Sequence, residues 1–159
     1  MTKKTEKPLD KKQIPNQRTL ARLSAVQALY QMDIGHVSLE TTLKEFTSLR
    51  KGAELEGEES LPADHDFFTQ IVKGVTKNQL QIDPDIDGAL DDTWPVGRID
   101  ATMRAILRSA TFELSSRKDI APAIVINEYV EIAKSFFEND VSKMVNGVLD
   151  KIAKSHIKE

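Results

Sequence analysis

Apolar residues recur at steps of three and four along most of this chain, and no other feature limits the possible folds as much. That spacing places apolar side chains on one face of an α-helix, whereas a half-buried strand alternates at every second residue. In the last segment the spacing is carried by Val141, Met144, Val145, Val148, Leu149 and Ile152. No segment alternates convincingly with β-branched enrichment, so we predict an all-α chain.

The dipeptide Asn146-Gly147 lies in the middle of that last helical pattern, although Asn-Gly between apolar residues is a strong hairpin signal. Glycine inside a helix costs about 1 kcal/mol relative to alanine, so some gain elsewhere should offset it. We interpret Gly147 as a packing hole that lets the backbone of another helix come close. Asn146 would then hydrogen-bond to a carbonyl of that neighbour.

Capping residues, glycines and prolines divide the chain into about seven helices. Asn16, Asp64 and Asp140 are predicted N-caps, and Pro122 suits a first helical turn. The predicted helices span residues 16–35, 38–50, 64–75, 79–90, 98–114, 122–136 and 140–154. Pro95 should end the fourth helix, and the acidic, glycine-containing residues 51–63 predict an exposed loop.

Charge is distributed unevenly along the sequence. Residues 1–22 hold seven basic and two acidic side chains, a net charge of +5, so the rest of the chain carries −8 of the overall −3. The lysine- and proline-containing residues 1–15 are predicted to form a disordered basic arm. This arm indicates either an anionic partner or a merely solvated tail, and charge alone leaves both open.

Composition excludes several classes of function. The chain has no cysteine, which rules out disulfides, thiolate catalysis and cysteine-based zinc sites. No apolar run approaches the length of a membrane helix, and no signal peptide is visible, so we expect a soluble, cytoplasmic protein. No local motif indicates an enzyme, and no cofactor is expected.

Residues 83–94 nearly match a calcium-binding EF-hand loop. Asp83, Asp85 and Asp87 suit three ligand positions, but the last position needs a bidentate glutamate and here is Trp94. We interpret the three aspartates as the solvated face of a helix and Trp94 as a core residue.

The first helix offers a candidate nucleic-acid surface. Arg18 and Arg22 are four residues apart, so they share one face, which we expect to be exposed. With the arm that contains Lys11 and Lys12, they could grip a phosphate backbone. The alternative is a solvated helix face with no ligand.

Three stretches together resemble the NusB family of bacterial transcription antitermination factors. They are RTLARLSAVQALYQMD (18–33), MRAILRSATFEL (103–114) and INEYVEIAKSFFENDVSKMVNGVLDKIAK (126–154). The resemblance implies one all-α domain over residues 16–155, built from two packed helical bundles of about residues 16–79 and 80–155. It also implies binding to single-stranded boxA RNA of ribosomal RNA leaders together with NusE, a small-subunit ribosomal protein. Other Nus factors and RNA polymerase would be contacted indirectly, without catalysis or a cofactor.

The resemblance also implies site residues. RNA contacts are expected at Arg18 and Arg22 and at the start of the last helix, at Asp140 and Lys143. The NusE-facing surface is expected to involve Tyr30 and the region of Met103.

Two other functions fit the same residues. A helical adaptor that binds only proteins would share the fold. NusB-like domains also occur in rRNA cytosine methyltransferases, but those enzymes need a catalytic domain with a nucleophilic cysteine, and this chain has none.

Overall fold

The computed structural model describes residues 16–46, 64–90 and 96–157, and within them the fold is all-α. It contains six α-helices and one short 3₁₀-helix, Val96–Arg98. The α-helices are α1 (Gln17–Gly35), α2 (residues 39–46 as described), α3 (His65–Ala89), α4 (Ala101–Ser116), α5 (Pro122–Phe136) and α6 (Asn139–Ile157). The predictions for residues 1–15, the loop 51–63, Trp94 and Pro95 lie outside the described residues.

Local signals fix most of the helix starts. The side chain of Asn16 accepts a hydrogen bond from the Thr19 N–H at 2.7 Å, and Asp64 caps α3 in the same way through Phe67 at 3.0 Å. Pro122 occupies the first turn of α5. These three predicted helix starts are confirmed. They could be predicted from the sequence because each depends only on residues within one turn.

The predicted third and fourth helices are a single kinked helix, so the described residues form six α-helices and not about seven. The kink lies at Asn78, which has φ −108° and ψ 15°, and its side-chain amide donates to the Gly74 carbonyl at 2.8 Å. The helix therefore bends at Asn78 and continues, through Pro84, to Ala89. The division into two bundles at about residue 79 stays a prediction.

Two other predicted starts are shifted. Helix α4 begins at Ala101 and not near Arg98, because the carboxylate of Asp100 caps it by accepting from the backbone N–H groups of Thr102 and Met103. Helix α6 begins at Asn139, so Asp140 lies in its first turn and is not the cap.

Helix α4 lies at the centre of the fold. It packs against α1, α3, α5 and α6. Its residues 109–114 are all buried, polar and apolar alike. A helix that is surrounded on all sides positions side chains from distant parts of the sequence against one another.

The interpretation of Gly147 as a packing hole is wrong. Gly147 is exposed, and a Cβ built there meets no atom of the described residues within 4 Å. Asn146 is exposed as well and reaches no neighbouring helix among those residues. The close approach occurs at Gly74 in α3, where a Cβ would collide with the ring of Phe112 in α4.

Candidate nucleic-acid interface

Arg22 does not lie on the surface, so its expected exposure is wrong. Its side chain is only 3% exposed and points between α4 and α5. The Nε and Nη2 atoms each donate to Glu113 at 2.9 Å, and Nη1 donates to Glu128 at 2.9 Å. In this arrangement the guanidinium is not available to an RNA phosphate.

The Arg22 pairs belong to a larger buried network. Glu113 is fully buried and accepts a hydrogen bond from the Tyr129 hydroxyl at 2.5 Å. Glu128 also accepts from the Thr19 hydroxyl at 2.6 Å. The network joins α1, α4 and α5, and thereby fixes the first turns of α1.

The charges in this network shift two pKa values. Burial alone would lower the pKa of Arg22, but the hydrogen bonds and the charge of Glu113 outweigh burial and raise that pKa. Burial, followed by the charge of Glu113, raises the pKa of Tyr129 well above its ordinary value. Arg22 therefore stays a cation and Tyr129 stays protonated in the fold at neutral pH.

Arg18 lies outside the network and forms a cationic surface with Arg117. The Arg18 guanidinium carbon is 4.6 Å from the centre of the Phe67 ring, and that of Arg117 is 5.3 Å from the same centre. Arg117 also donates to Asp119 and to the side chain of Gln70. We call Arg18, Phe67 and Arg117 the arginine platform.

Arg117 is held by an exposed ion pair. The hydrogen bonds from Arg117 lower the pKa of Asp119 to about 2, and those to Asp119 raise the pKa of Arg117. Sequence reasoning missed Arg117, because it follows the end of α4 and reaches Arg18 only through the fold. A basic residue at the end of a helix was the only sequence signal that could have indicated Arg117 as a candidate RNA contact.

The second predicted RNA contact lies at the start of α6. Asp140 and Lys143 are both exposed there, and neither forms an ion pair within the described part of the chain. Lys11 and Lys12, the predicted contacts in the arm, lie outside the described residues.

An aromatic side chain flanks this second contact. Phe136 is 46% exposed at the end of α5, three residues before α6 begins. Met144 packs partly buried against the core. Of the two, Phe136 presents the larger flat surface for a base.

Only part of the predicted partner surface is exposed to solvent. Tyr30 is 37% exposed, and Ile34, one turn later on α1, is 53% exposed. Met103 is only 5% exposed, so the expectation that it lies at a surface is wrong. Its side chain belongs to the core at the start of α4.

A cleft of about 390 Å³ lies between α1, α3 and α4. One of its lining residues, Leu29, directly precedes Tyr30 in the sequence. Its walls include Leu29, Met32 and Asp33 from α1 and Arg108 from α4. Asp33 is paired with Arg104 at 2.7 Å, and the cleft is therefore lined by both charged and apolar groups. Tyr30 and Ile34 are exposed on α1, the helix that also supplies Leu29, Met32 and Asp33 to the cleft.

The acidic segment of α3 holds no metal cluster. Asp83 pairs with Arg108 at 2.8 Å, and Asp85 pairs with His156 at 3.0 Å. No group of three metal-ligating side chains occurs among the described residues. The segment is helical, as interpreted, but two of its carboxylates form tertiary ion pairs and are not simply solvated.

No helix within residues 16–46, 64–90 and 96–157 is long and apolar enough to cross a membrane.

Comparison with known proteins identifies the family. The transcription antitermination protein NusB of Sinorhizobium fredii is 54% identical over 139 residues, 87% of each chain. The solved structure of NusB from T. maritima superposes with a TM-score of 0.74 at 31% identity, covering 89% of this chain and 93% of that one. A crystal structure of antitermination factors NusB and NusE in complex with dsRNA contains a chain with TM-score 0.71 and 25% identity, covering 87% and 96%. Residues 19–154 match the NusB family, and the chain therefore belongs to the NusB family of transcription antitermination proteins.

Proposed function

We propose that this protein acts in transcription antitermination by binding single-stranded boxA RNA together with NusE, without catalysing a reaction. The observation that carries the proposal is the arginine platform, two surface cations set over one aromatic ring. The guanidinium carbon of Arg22, which belongs to the ion-pair network, lies 5.0 Å from the centre of the same ring. The similar chain in a complex of NusB, NusE and dsRNA supports RNA and NusE as partners.

RNA contacts are assigned to residues that solvent can reach. Arg18 and Arg117 bind phosphates at one end of α1, and Lys143 with Asp140 contacts RNA at the start of α6. Lys11 and Lys12 add electrostatic attraction, because each neutralised phosphate releases counterions. Arg22 holds the first turns of α1 in place and acts on RNA through Arg18.

NusE is assigned to the surface formed by Tyr30, Ile34 and the adjoining cleft. A half-exposed tyrosine beside an aliphatic residue suits the centre of a protein interface. Other Nus factors and RNA polymerase are then reached through the complex in the cytoplasm.

The test removes the two surface cations without touching the buried network. In the double variant Arg18→Ala/Arg117→Ala, we expect weaker boxA binding. We also expect the slope of the logarithm of the binding constant against the logarithm of the salt concentration to be shallower by about 1.4, since each single-strand phosphate contact contributes about 0.7. Binding is measured by fluorescence anisotropy at several salt concentrations. Lys44→Ala/Lys77→Ala, which also removes two exposed cations, is the control. If both double variants lose the same affinity, the arginine platform is not an RNA site.

A further inference from the structure

Gly147 occupies the middle of an exposed helix face and nothing in the described structure explains it. It lies inside α6, Asn139–Ile157, and a Cβ there meets no described atom within 4 Å. A glycine at such a position weakens the helix, and no packing among the residues that the structure describes compensates for it. A contact made to this face by a bound molecule would provide such a compensation.

The neighbours of Gly147 on this face are charged and exposed: the lysines Lys143, Lys151 and Lys154, and the aspartates Asp140 and Asp150. With about 100° of rotation per residue, Lys143 and Lys151 lie within about 40° of Gly147, one turn before and one turn after it. Both lysines are exposed, and neither forms an ion pair with a described residue. Lys154, a further turn along, is instead paired with Asp150 at 3.2 Å.

Gly147, with Lys143 before it and Lys151 after it, forms a notch that has a cation at each end. About 12 Å of helix separates Lys143 from Lys151, and the missing side chain at Gly147 exposes the helix backbone between them. We call Lys143, Gly147 and Lys151 the α6 notch.

We propose that the sugar-phosphate backbone of bound RNA lies across the α6 notch, against Gly147 and between Lys143 and Lys151. This inference rests on the proposed function, and it extends the RNA path along α6 from the predicted contact at Asp140 and Lys143. Phosphates complement the two unpaired lysines, and absence of a Cβ lets the strand approach the helix more closely.

A protein helix fits this face less well. Close helix–helix packing at glycine needs apolar side chains around the contact, which bury surface as the axes approach. Around Gly147 the exposed neighbours are charged or polar, and the nearest apolar one, Met144, already packs against the core of this chain.

The decisive experiment measures the stability and the RNA affinity of variants at Gly147, so that an effect on folding is distinguished from an effect on binding. Because the space around Gly147 is open, Gly147→Ala should fold and melt at a higher temperature than the wild type. We expect the same variant to bind boxA RNA several-fold more weakly, and Gly147→Leu to lose at least tenfold. Gly88→Ala is the matched control, since Gly88 is also helical, exposed and open, and its RNA affinity should not change.

A second variant keeps the test independent of the glycine. Lys151→Ala should weaken RNA binding and reduce the salt slope by about 0.7, whereas Lys77→Ala on α3 should do neither. Normal RNA affinity in both Gly147→Leu and Lys151→Ala would overturn the inference and leave the proposed function intact. So would loss of NusE binding with RNA affinity unchanged, because the face would then bind protein. A wild-type protein that binds no RNA would overturn the proposed function itself.

Discussion

Arg22 shows how far a residue's role depends on partners distant in sequence. Its spacing from Arg18 predicted two arginines on one exposed face, and Arg18 is indeed exposed. Glu113, which makes Arg22 a buried residue, is 91 positions away on α4. No local pattern contains that information, so sequence reasoning could locate the helix and its arginines but could not separate a ligand contact from a structural ion pair.

Loss of Arg22 should therefore damage stability before it affects binding. Arg22→Ala leaves the buried carboxylate of Glu113 without its cation, which typically costs about 3–5 kcal/mol. We expect a decrease of that size in the free energy of unfolding, measured by urea denaturation.

Arg18→Ala is the matched control for that measurement, because it removes an exposed arginine one turn earlier on the same helix. Its unfolding free energy should stay within about 1 kcal/mol of the wild type. Equal losses in the two variants would contradict the structural role of Arg22.

Tyr129 should make the protein sensitive to alkali. Its pKa in the fold is raised above the ordinary value of 10.0, so the protonated hydroxyl stabilises the native state. That contribution is fully present below about pH 10 and is lost as the pH rises towards the pKa in the fold.

The alkaline loss is measured as the difference in unfolding free energy between about pH 8 and pH 11. Tyr129→Phe should be less stable than the wild type at the lower pH but should lose less on going to the higher one. Tyr30→Phe, at a partly exposed tyrosine, should follow the wild-type curve. An unaltered alkaline decline in Tyr129→Phe would show that other groups cause it.

At the scale of helices, the sequence predicted helix starts that depend on neighbouring residues, but it missed features that depend on contacts between helices. Asn16, Asp64 and Pro122 act within one turn, and the starts they predict are correct. Helix α3 continues through Asn78 and packs against α1, α4 and α6. The weak helix preference of Asn78 predicts a break there, because the sequence alone does not show this packing. Glycines carried the same ambiguity, because a packing glycine and a surface glycine look alike in sequence.

Gly74 and not Gly147 is the glycine on which helix packing depends. In Gly74→Ala the new methyl group would meet the Phe112 ring, which is itself buried between helices. Such overpacking costs about 1–3 kcal/mol, so we expect a lower free energy of unfolding in urea. Gly88→Ala adds the same methyl group in open space and should not destabilise. A stable Gly74→Ala variant would mean that α3 and α4 adjust freely.

At the scale of the whole molecule, the proposed RNA binding depends on a few cationic features of an acidic protein. Residues 23–159 carry a net charge of −8, so we expect the attraction of RNA to be local, at the proposed sites on the arginine platform and along α6. Three stretches far apart in sequence were enough to indicate the family, which the match over residues 19–154 confirms. They could not show that Met103 and Arg22 point inwards, since burial is decided by the packing of α4 against its four neighbours.

The most direct test of the whole account is an anisotropy titration of labelled boxA RNA with this protein, with and without NusE, beside an RNA of scrambled sequence. We predict tight binding that is selective for boxA and becomes tighter when NusE is added. Weak and equal binding to both RNAs, with no gain from NusE, would show that the basic surface attracts any anion, and would contradict a role in antitermination through boxA.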